Sequence, residues 1–128
     1  MVEVPILEGI ECPIVFLYPA RYTLLMNELY ETEEFASWLS KLKDPIGKAS
    51  VLRRIKNARK DNFGDHQSVG DNVSEMRLFN GPGYRLYYTM IENRVYWLLV
   101  GGDKSTQEKD IKRAKEMAAD IHGKNRER

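Results

Sequence analysis

The sequence predicts an α+β fold in which a small, antiparallel-dominated sheet is packed with three helices. Two segments with alternating apolar residues flank a glycine-rich turn at 80–83, a pattern typical of paired strands. Apolar residues recur at helical spacing before and after this region, with capping residues at the predicted helix starts. At 128 residues the chain suits one domain with one core.

Each predicted element rests on a local signal. Thr32 is a suitable N-cap for the first helix, and Asp44, which precedes a proline, is a suitable N-cap for the second. The apolar run at 95–100 predicts a strand covered on both faces, after which Gly101-Gly102 is expected to leave the sheet. The segment 105–108 matches a capping box for the last helix. The predicted elements are a strand at 23–31, helices at 33–43 and 45–62, strands at 73–79, 84–91 and 94–101, and a C-terminal helix at 106–122.

The second predicted helix has an apolar and a basic side when projected at roughly 100° per residue. The apolar side consists of Ile46, Val51, Ile55 and Ala58. The basic face, a candidate RNA-binding surface, consists of Lys48, Arg53, Lys56, Arg59 and Lys60. Arg54 falls outside the basic face. A face of this kind is either a solvated helix surface or a contact surface for nucleic acid.

The charge is unevenly distributed along the chain. The formal net charge is +1, but residues 1–25 contribute −2, which leaves +3 for the remainder. No acidic residue occurs from position 48 to position 60. This concentration of positive charge favours a polyanionic partner.

The strands on either side of the turn determine which side chains share a face. Burying both apolar sets together requires Met76 opposite Leu86, because paired antiparallel residues lie on the same face. That register places Arg77 directly opposite Arg85 on the other face, which we expect to be exposed to solvent. Two facing cations destabilise a sheet unless an anion lies between them. The arginine pair therefore predicts an anion-binding site.

Several functional classes are disfavoured by composition. Cys12 is the sole cysteine, so an internal disulfide and a cysteine-rich metal site are both excluded. No metal-ligand spacing is present, and His66 and His122 are expected to be solvated. We therefore expect no metal and no cofactor. The absence of a signal peptide pattern and of a long apolar run predicts a cytoplasmic protein without a membrane contact.

Local motifs carry a family resemblance that spans Met26 to about His122. They are Thr32-Glu33-Glu34-Phe35 with Trp38-Leu39, Leu42-Lys43-Asp44, Asn62-Phe63-Gly64-Asp65, Val69-Gly70-Asp71, Ser74-Glu75-Met76-Arg77, Gly81-Pro82-Gly83-Tyr84-Arg85 and Gly101-Gly102-Asp103-Lys104-Ser105-Thr106-Gln107. Together they resemble the RelE/ParE superfamily of toxins, and within it the addiction-module killer-protein (HigB-like) branch of type II toxin–antitoxin systems. The resemblance implies a RelE-like fold.

The resemblance also implies a function. It implies a toxin held inactive by a co-expressed antitoxin, with a helix-turn-helix protein encoded next to it as the expected partner. In the RNA-cleaving members it implies metal-free scission of translated mRNA, commonly on the ribosome, by attack of a 2′-hydroxyl on the neighbouring phosphate. That chemistry needs a proton acceptor, fixed cations and a proton donor for the leaving 5′ oxygen.

Candidate catalytic residues follow from this resemblance. The basic residue on the second strand of the RNA-cleaving members corresponds to Arg77, and their arginine after a Gly-Tyr pair corresponds to Arg85. Lys104 approximates a further basic position. Glu75 departs from the pattern, because the RNA-cleaving branch has a lysine there; it acts either as a base or as an ion-pair partner of the arginines. Tyr87 shares the arginine face and is a candidate for stacking a base or donating a proton.

Two alternatives to an RNA-cleaving enzyme remain at this stage. One is a non-enzymatic poison of another target, such as DNA gyrase, as in another branch of the superfamily. The other is a degenerate toxin that only binds its antitoxin. The arginine pair favours cleavage, whereas Glu75 keeps the alternatives open.

The N-terminal region is expected to lie outside the toxin domain. Residues 1–22 hold three of the five prolines and lack clear periodicity, which predicts an irregular extension before a domain at 23–128. Because the resemblance begins at Met26, we hypothesise that Met26 is an alternative or true translation start.

Overall fold

A computed structural model describes residues 26–79 and 81–126. The predicted irregular extension at 1–22 lies outside the described residues, and so does the beginning of the first predicted strand. The observed strands are β1 Glu28–Glu31, β2 His66–Gly70, β3 Val73–Arg77, β4 Arg85–Glu92 and β5 Val95–Gly102. The observed helices are α1 Glu33–Lys41, α2 Pro45–Arg59 and α3 Gln107–Arg126, the last preceded by a 3-10 turn at Lys104–Thr106.

The α+β class is confirmed. The five strands form one mixed sheet in the order β1-β5-β4-β3-β2, in which only the β1–β5 pair is parallel. The register of the central hairpin is also confirmed: Met76 pairs with Leu86, and Arg77 pairs with Arg85. One strand was missing from the prediction, since β2 is an exposed, mostly polar edge strand. This strand is held by main-chain hydrogen bonds to β3. Such bonds do not depend on apolar side chains, so the sequence shows no hydrophobic pattern there.

Both faces of the sheet are covered by helices. On one side, the α1/α2 face, the core consists mainly of Phe35, Leu39, Val51, Ile55, Met76, Leu78, Leu86, Tyr88 and Leu98. On the other side, the α3 face, the core consists of Val73, Tyr87, Leu99, Val100, Ala114 and Ala118. The arginine pair lies on the α3 face, because side chains alternate along β3 and β4. The prediction that this face is open to solvent was therefore wrong: α3 packs its alanines against it.

The starts of the first two helices are confirmed. The Thr32 hydroxyl accepts a hydrogen bond from the amide of Phe35 at 3.0 Å, and the Asp44 carboxylate accepts one from the amide of Gly47 at 3.1 Å. The last helix begins differently. Asp103 and Thr106 form the capping box, which starts the 3-10 turn at Lys104, two residues before the predicted helix start. The predicted box at 105–108 was wrong because Asp103 binds the amide of Ser105 and takes the capping position.

The buried stripe of α2 is shifted from its predicted position. Ile46, expected on the apolar side, is 75% exposed, whereas Gly47 is buried. The ring of Tyr84 lies 2.4 Å from the place where a Cβ of Gly47 would be. The buried stripe thus runs from Gly47 through Val51 and Ile55. Its first position could not be predicted from hydrophobicity, because glycine has no apolar side chain.

Two glycines form the end of β5, which runs one residue beyond the predicted end at 101. A Cβ on Gly101 would lie 2.2 Å from the indole of Trp38, and a Cβ on Gly102 would overlap the carboxylate of Asp110. Side chains from α1 and α3 thus contact the strand backbone from opposite faces. Only glycine leaves room for both contacts.

Candidate functional site

The candidate site is built around the arginine pair on the α3 face. Arg77 ends β3 and Arg85 begins β4, so both side chains stand at the same end of the hairpin. Their exposure differs. The side chain of Arg77 is 33% exposed, whereas that of Arg85 is 13% exposed.

Each arginine has a carboxylate nearby. The Arg77 guanidinium contacts Asp65, with Nε 3.2 Å from Oδ2 and Nη2 donating to Oδ1 at 3.3 Å. The Arg85 guanidinium is 4.0 Å from Oε2 of Glu75, which is a longer and weaker contact. These anions offset the repulsion between two cations that face each other across the strands. The requirement for an anion is therefore met by the protein itself.

Glu75 and Tyr87 form the buried floor of the site. Both are fully buried, and Gln67 donates a hydrogen bond to Oε2 of Glu75 at 3.1 Å. Oε1 of Glu75 and the Tyr87 hydroxyl are both buried and have no hydrogen-bond partner among the described residues. Burial, followed by the nearby Glu75 charge, raises the pKa of Tyr87 well above its usual value, so the phenol stays protonated at neutral pH. The prediction that Tyr87 stacks a base does not fit this arrangement, since the ring is inside the α3-face core.

Arg54 positions the loop that carries Asp65, the carboxylate partner of Arg77. The sequence did not predict this role. From α2, the Arg54 guanidinium donates to the carbonyl oxygens of Arg77 at 2.6 Å, Phe63 at 2.7 Å and Asp65 at 3.0 Å. The loop that carries Asp65 is thereby tied to the end of β3. Gly64 completes this arrangement with a φ of +65°, and a Cβ there would lie 2.9 Å from the Arg54 guanidinium. The available signals were the exclusion of Arg54 from the basic face and the turn residues around Gly64.

Tyr84 fixes the chain immediately before Arg85. Its hydroxyl donates a hydrogen bond to Oδ2 of Asp44 at 2.9 Å, while its ring packs over Gly47. The hydrogen bonds from the Gly47 amide and from Tyr84 lower the pKa of Asp44, so this carboxylate remains ionised. The start of β4 is thus anchored to the start of α2.

The other predicted basic residues differ in position. Lys104 lies near the start of β4, since its amide donates a hydrogen bond to the carbonyl oxygen of Pro82 at 3.4 Å and Arg85 pairs with Gly102. Lys104 is exposed at the start of the 3-10 turn, and its side chain forms no ion pair with the described residues. The predicted basic face lies on α2, which packs on the opposite side of the sheet. Arg53, Lys56, Arg59 and Lys60 are exposed, Lys48 is half-buried, and none of the five forms an ion pair within 26–79 and 81–126. The structure therefore brings together Glu75, Arg77, Arg85 and Tyr87, but not the basic face.

The histidines do not join the site. His66 is exposed, with Nδ1 2.8 Å from the carbonyl oxygen of Gly64. His122 was expected to be solvated, but it is half-buried, and Nε2 lies 2.9 Å from the Thr89 hydroxyl because α3 extends beyond its predicted end. Among the described residues, no group of three or more His, Cys, Asp or Glu side chains is arranged to hold a metal ion. No helix in the described part of the chain is long and apolar enough to cross a membrane.

Comparisons with known proteins place the chain next to one close relative. A Haemophilus influenzae protein described as an uncharacterized protein is 47% identical over 94 residues, which cover 73% of this chain and 95% of that protein. No family model matches the chain. Among solved structures, the intact Escherichia coli RelBE toxin–antitoxin complex is 18% identical and has a TM-score of 0.42, with 60% of this chain and 95% of that chain covered. At this identity and TM-score, the likeness assigns neither a target nor a partner to the present chain.

Proposed function

We propose that this chain, which belongs to the same family as the Haemophilus influenzae protein, is the toxin of a type II toxin–antitoxin module and cleaves mRNA. The sequence motifs that resemble the killer-protein branch extend over most of the toxin domain at 23–128. The observation that carries the proposal is the arginine pair: Arg77 and Arg85 are directly opposed on one face of the sheet. This arrangement suits a scissile phosphate, because the planar guanidinium group binds phosphate oxygens in two places.

In the proposed reaction, the substrate phosphate replaces the protein carboxylates as the partner of the arginines. Arg77 is the more accessible cation, so it makes the first contact and releases Asp65. Arg85 then stabilises the negative charge that grows on the phosphate as the 2′-oxygen attacks. The two cations supply this stabilisation without a metal or a cofactor.

The proton transfers are assigned to the two buried groups of the site. Tyr87 is assigned as the proton donor to the leaving 5′ oxygen, because its hydroxyl carries a proton at neutral pH and lies on the same face of the sheet as the arginines. Glu75 suits the role of base for the 2′-hydroxyl, and its long contact with Arg85 leaves one oxygen free. Both roles require α3 to move away from this face during the reaction, since both side chains are fully buried beneath it. Lys104, which is already exposed, provides a further phosphate contact.

The partners follow from the same proposal. A helix-turn-helix antitoxin encoded nearby holds the toxin inactive in the cytoplasm. The basic face of α2 contacts RNA or the ribosome through Lys48, Arg53, Lys56, Arg59 and Lys60. Five cations without ion pairs in the described part of the chain provide a surface whose affinity for a polyanion falls with salt.

The test is inducible expression of the full chain, with growth curves and primer-extension mapping of abundant transcripts. We expect growth arrest and codon-phased cuts, and we expect both to be lost in Arg77→Ala and Arg85→Ala. Arg113→Ala is the matched control, because Arg113 is also an ion-paired arginine but contacts Glu34 on the surface at 3.0 Å. Circular dichroism of each purified variant establishes that it folds. Intact transcripts during growth arrest contradict the proposal.

Two structural observations favour a second candidate, a non-enzymatic poison of a target such as DNA gyrase. Both arginines have carboxylate partners, and the two candidate proton-transfer groups are buried. In that case induction produces DNA-damage signalling while mRNA stays intact. Absence of toxicity together with retained antitoxin binding instead indicates a degenerate toxin.

A further inference from the structure

A concave surface lies on the opposite side of the sheet from the arginine pair. It is an open groove of about 550 Å³, here called the aromatic groove. Its lining includes Phe63, His66, Ser68, Asn72, Tyr88 and Tyr96. The proposed function assigns no role to this surface.

The groove contains a cluster of aromatic rings. Phe63 stacks on Tyr88 with ring centroids 5.2 Å apart and planes 17° from parallel. Tyr96 and His66 flank Phe63 at 5.1 Å and 5.8 Å. Tyr88 is buried beneath Phe63, but Phe63 and Tyr96 are half-buried and His66 is exposed. Ring surface therefore remains available at the wall of the groove.

The surroundings of these rings are polar. Ser68 and Asn72 are exposed at the rim, and Asp61 lines the groove. Met90, which is 50% exposed, is the one large apolar side chain in the lining that stays mainly accessible. A groove for an apolar helix or peptide would present more exposed aliphatic surface. Ring faces bordered by hydroxyl, amide and carboxylate groups suit a flat ligand with polar edges, as a nucleobase has.

Positive charge adjoins the groove. Helix α2 ends at Arg59, the next residue is Lys60, and Asp61 then enters the groove lining. Both cations are exposed and form no ion pair with any residue described by the structure. Aromatic rings beside a cationic surface are the combination with which proteins bind single-stranded nucleic acid, by stacking bases and contacting phosphates.

We infer that the aromatic groove binds an unpaired base of single-stranded RNA, with the adjoining phosphates held by Arg59 and Lys60. The base stacks against His66 and Tyr96, and Asp61 accepts a hydrogen bond from an exocyclic amino group. The inference rests on the proposed function only in taking RNA as the ligand.

The groove and the arginine pair are close along the chain although they lie on opposite faces. Asp65 contacts Arg77 on one face, while its neighbour His66 contributes to the groove on the other. Only the edge strand β2 lies between these faces at this side of the sheet. An RNA strand that passes around β2 therefore reaches both surfaces, which makes the groove a docking site for nucleotides that flank the scissile phosphate.

The test measures RNA binding separately from cleavage. The probe is a fluorescein-labelled 2′-O-methyl octaribonucleotide of mixed sequence, which cannot be cleaved because the attacking hydroxyl is blocked. Its affinity for the purified full chain is measured by fluorescence anisotropy. We expect His66→Ala and Tyr96→Leu each to weaken binding about 5- to 100-fold, as expected for the loss of one stacked base. We expect Lys60→Ala to reduce the dependence of affinity on salt.

Two controls keep structural damage apart from loss of binding. Tyr96→Phe retains the ring and is expected to bind within about twofold of the unmodified chain. Tyr30→Ala removes an aromatic side chain that is 47% exposed on β1, at the other edge of the sheet, and is expected to leave binding unchanged. Thermal unfolding of each variant shows whether it is folded. We expect His66→Ala to fold normally, because His66 is exposed.

The outcomes distinguish this inference from the proposed function. Unchanged RNA affinity in both His66→Ala and Tyr96→Leu overturns the inference, even when the unmodified chain cleaves mRNA. Equal affinity for an RNA duplex also overturns it, because a paired base cannot enter the groove. A loss of antitoxin affinity with RNA affinity retained identifies the groove as a protein-binding site instead. Binding lost in the groove variants, together with no cleavage by the unmodified chain, supports the inference and refutes the nuclease proposal.

Discussion

The two faces of the sheet bury different kinds of side chain. The α1/α2 face buries mostly apolar and aromatic side chains, and α2 keeps its cations on the surface. The α3 face buries Glu75, Tyr87, Thr89 and Asp110 among small apolar residues. Burying a polar group is costly unless it is hydrogen bonded or paired, and Glu75, Thr89 and Asp110 each have at least one hydrogen-bond partner.

The difference is visible in individual atoms. On the α3 face, Oε1 of Glu75, the Tyr87 hydroxyl and Nε of Arg85 are buried without a hydrogen-bond partner in the described chain. The proposed chemistry uses these same groups. The comparison teaches that one face is filled mainly with apolar side chains, while the other holds buried polar groups under a helix, and these are the groups to which we assign the proposed chemistry.

The largest expected effect compares neighbours on β4 that point to opposite faces. Leu86→Ala is expected to lower the free energy of unfolding by about 2–5 kcal/mol, because Leu86 is fully buried in the α1/α2 core. Tyr87→Phe keeps the buried ring and removes only an unpartnered hydroxyl, so we expect a change of less than about 1 kcal/mol in either direction. Urea denaturation measures both. If Tyr87→Phe lowers the free energy of unfolding as much as Leu86→Ala does, the contrast between the two faces is wrong, because the Tyr87 hydroxyl must then form a strong hydrogen bond.

The next effect concerns two adjacent arginines of α2. Arg54→Ala removes the donor to three carbonyl oxygens and is expected to cost about 2–3 kcal/mol. Arg53→Ala removes an exposed cation and is expected to change stability by less than about 0.5 kcal/mol. Chemical denaturation of both variants tests whether only the inward arginine has a structural role, and equal losses contradict that assignment.

The smallest effect is a pH dependence on the α3 face. Burial raises the pKa of Asp110, although a hydrogen bond from Thr106 opposes the shift. A carboxyl group whose pKa is higher in the folded state stabilises the fold below its unfolded pKa, and that contribution is lost as pH rises through the folded pKa. We therefore expect Asp110→Asn to become more stable relative to the unmodified chain between about pH 3 and about pH 7.

The measurement is urea denaturation at both ends of that pH range. Asp120→Asn is the control, because Asp120 is exposed on the same helix and its removal is expected to change stability by less than about 0.5 kcal/mol. A larger loss of stability in Asp110→Asn at neutral pH than at acidic pH contradicts the sign of this prediction.

Local signals in the sequence predicted the parts of the fold that depend on near neighbours. Thr32 and Asp44 cap their helices as expected, because a cap involves residues only three positions apart. The opposition of Arg77 and Arg85 followed from alternation in two strands joined by a short turn. The polar edge strand β2 could not be predicted in this way, since its side chains are mostly exposed and carry no pattern.

The sequence by itself determined the class, the starts of the first two helices and the hairpin register, because period and capping chemistry are encoded within a few residues. Only the tertiary structure decided what covers the arginine face, why Gly101 and Gly102 must lack side chains, and where Arg54 points. Each of these depends on residues from distant segments: α3 over the sheet, Trp38 and Asp110 against β5, and α2 against the loop at Asp65. Contacts between distant segments are selected by packing of the whole chain, so no local pattern records them.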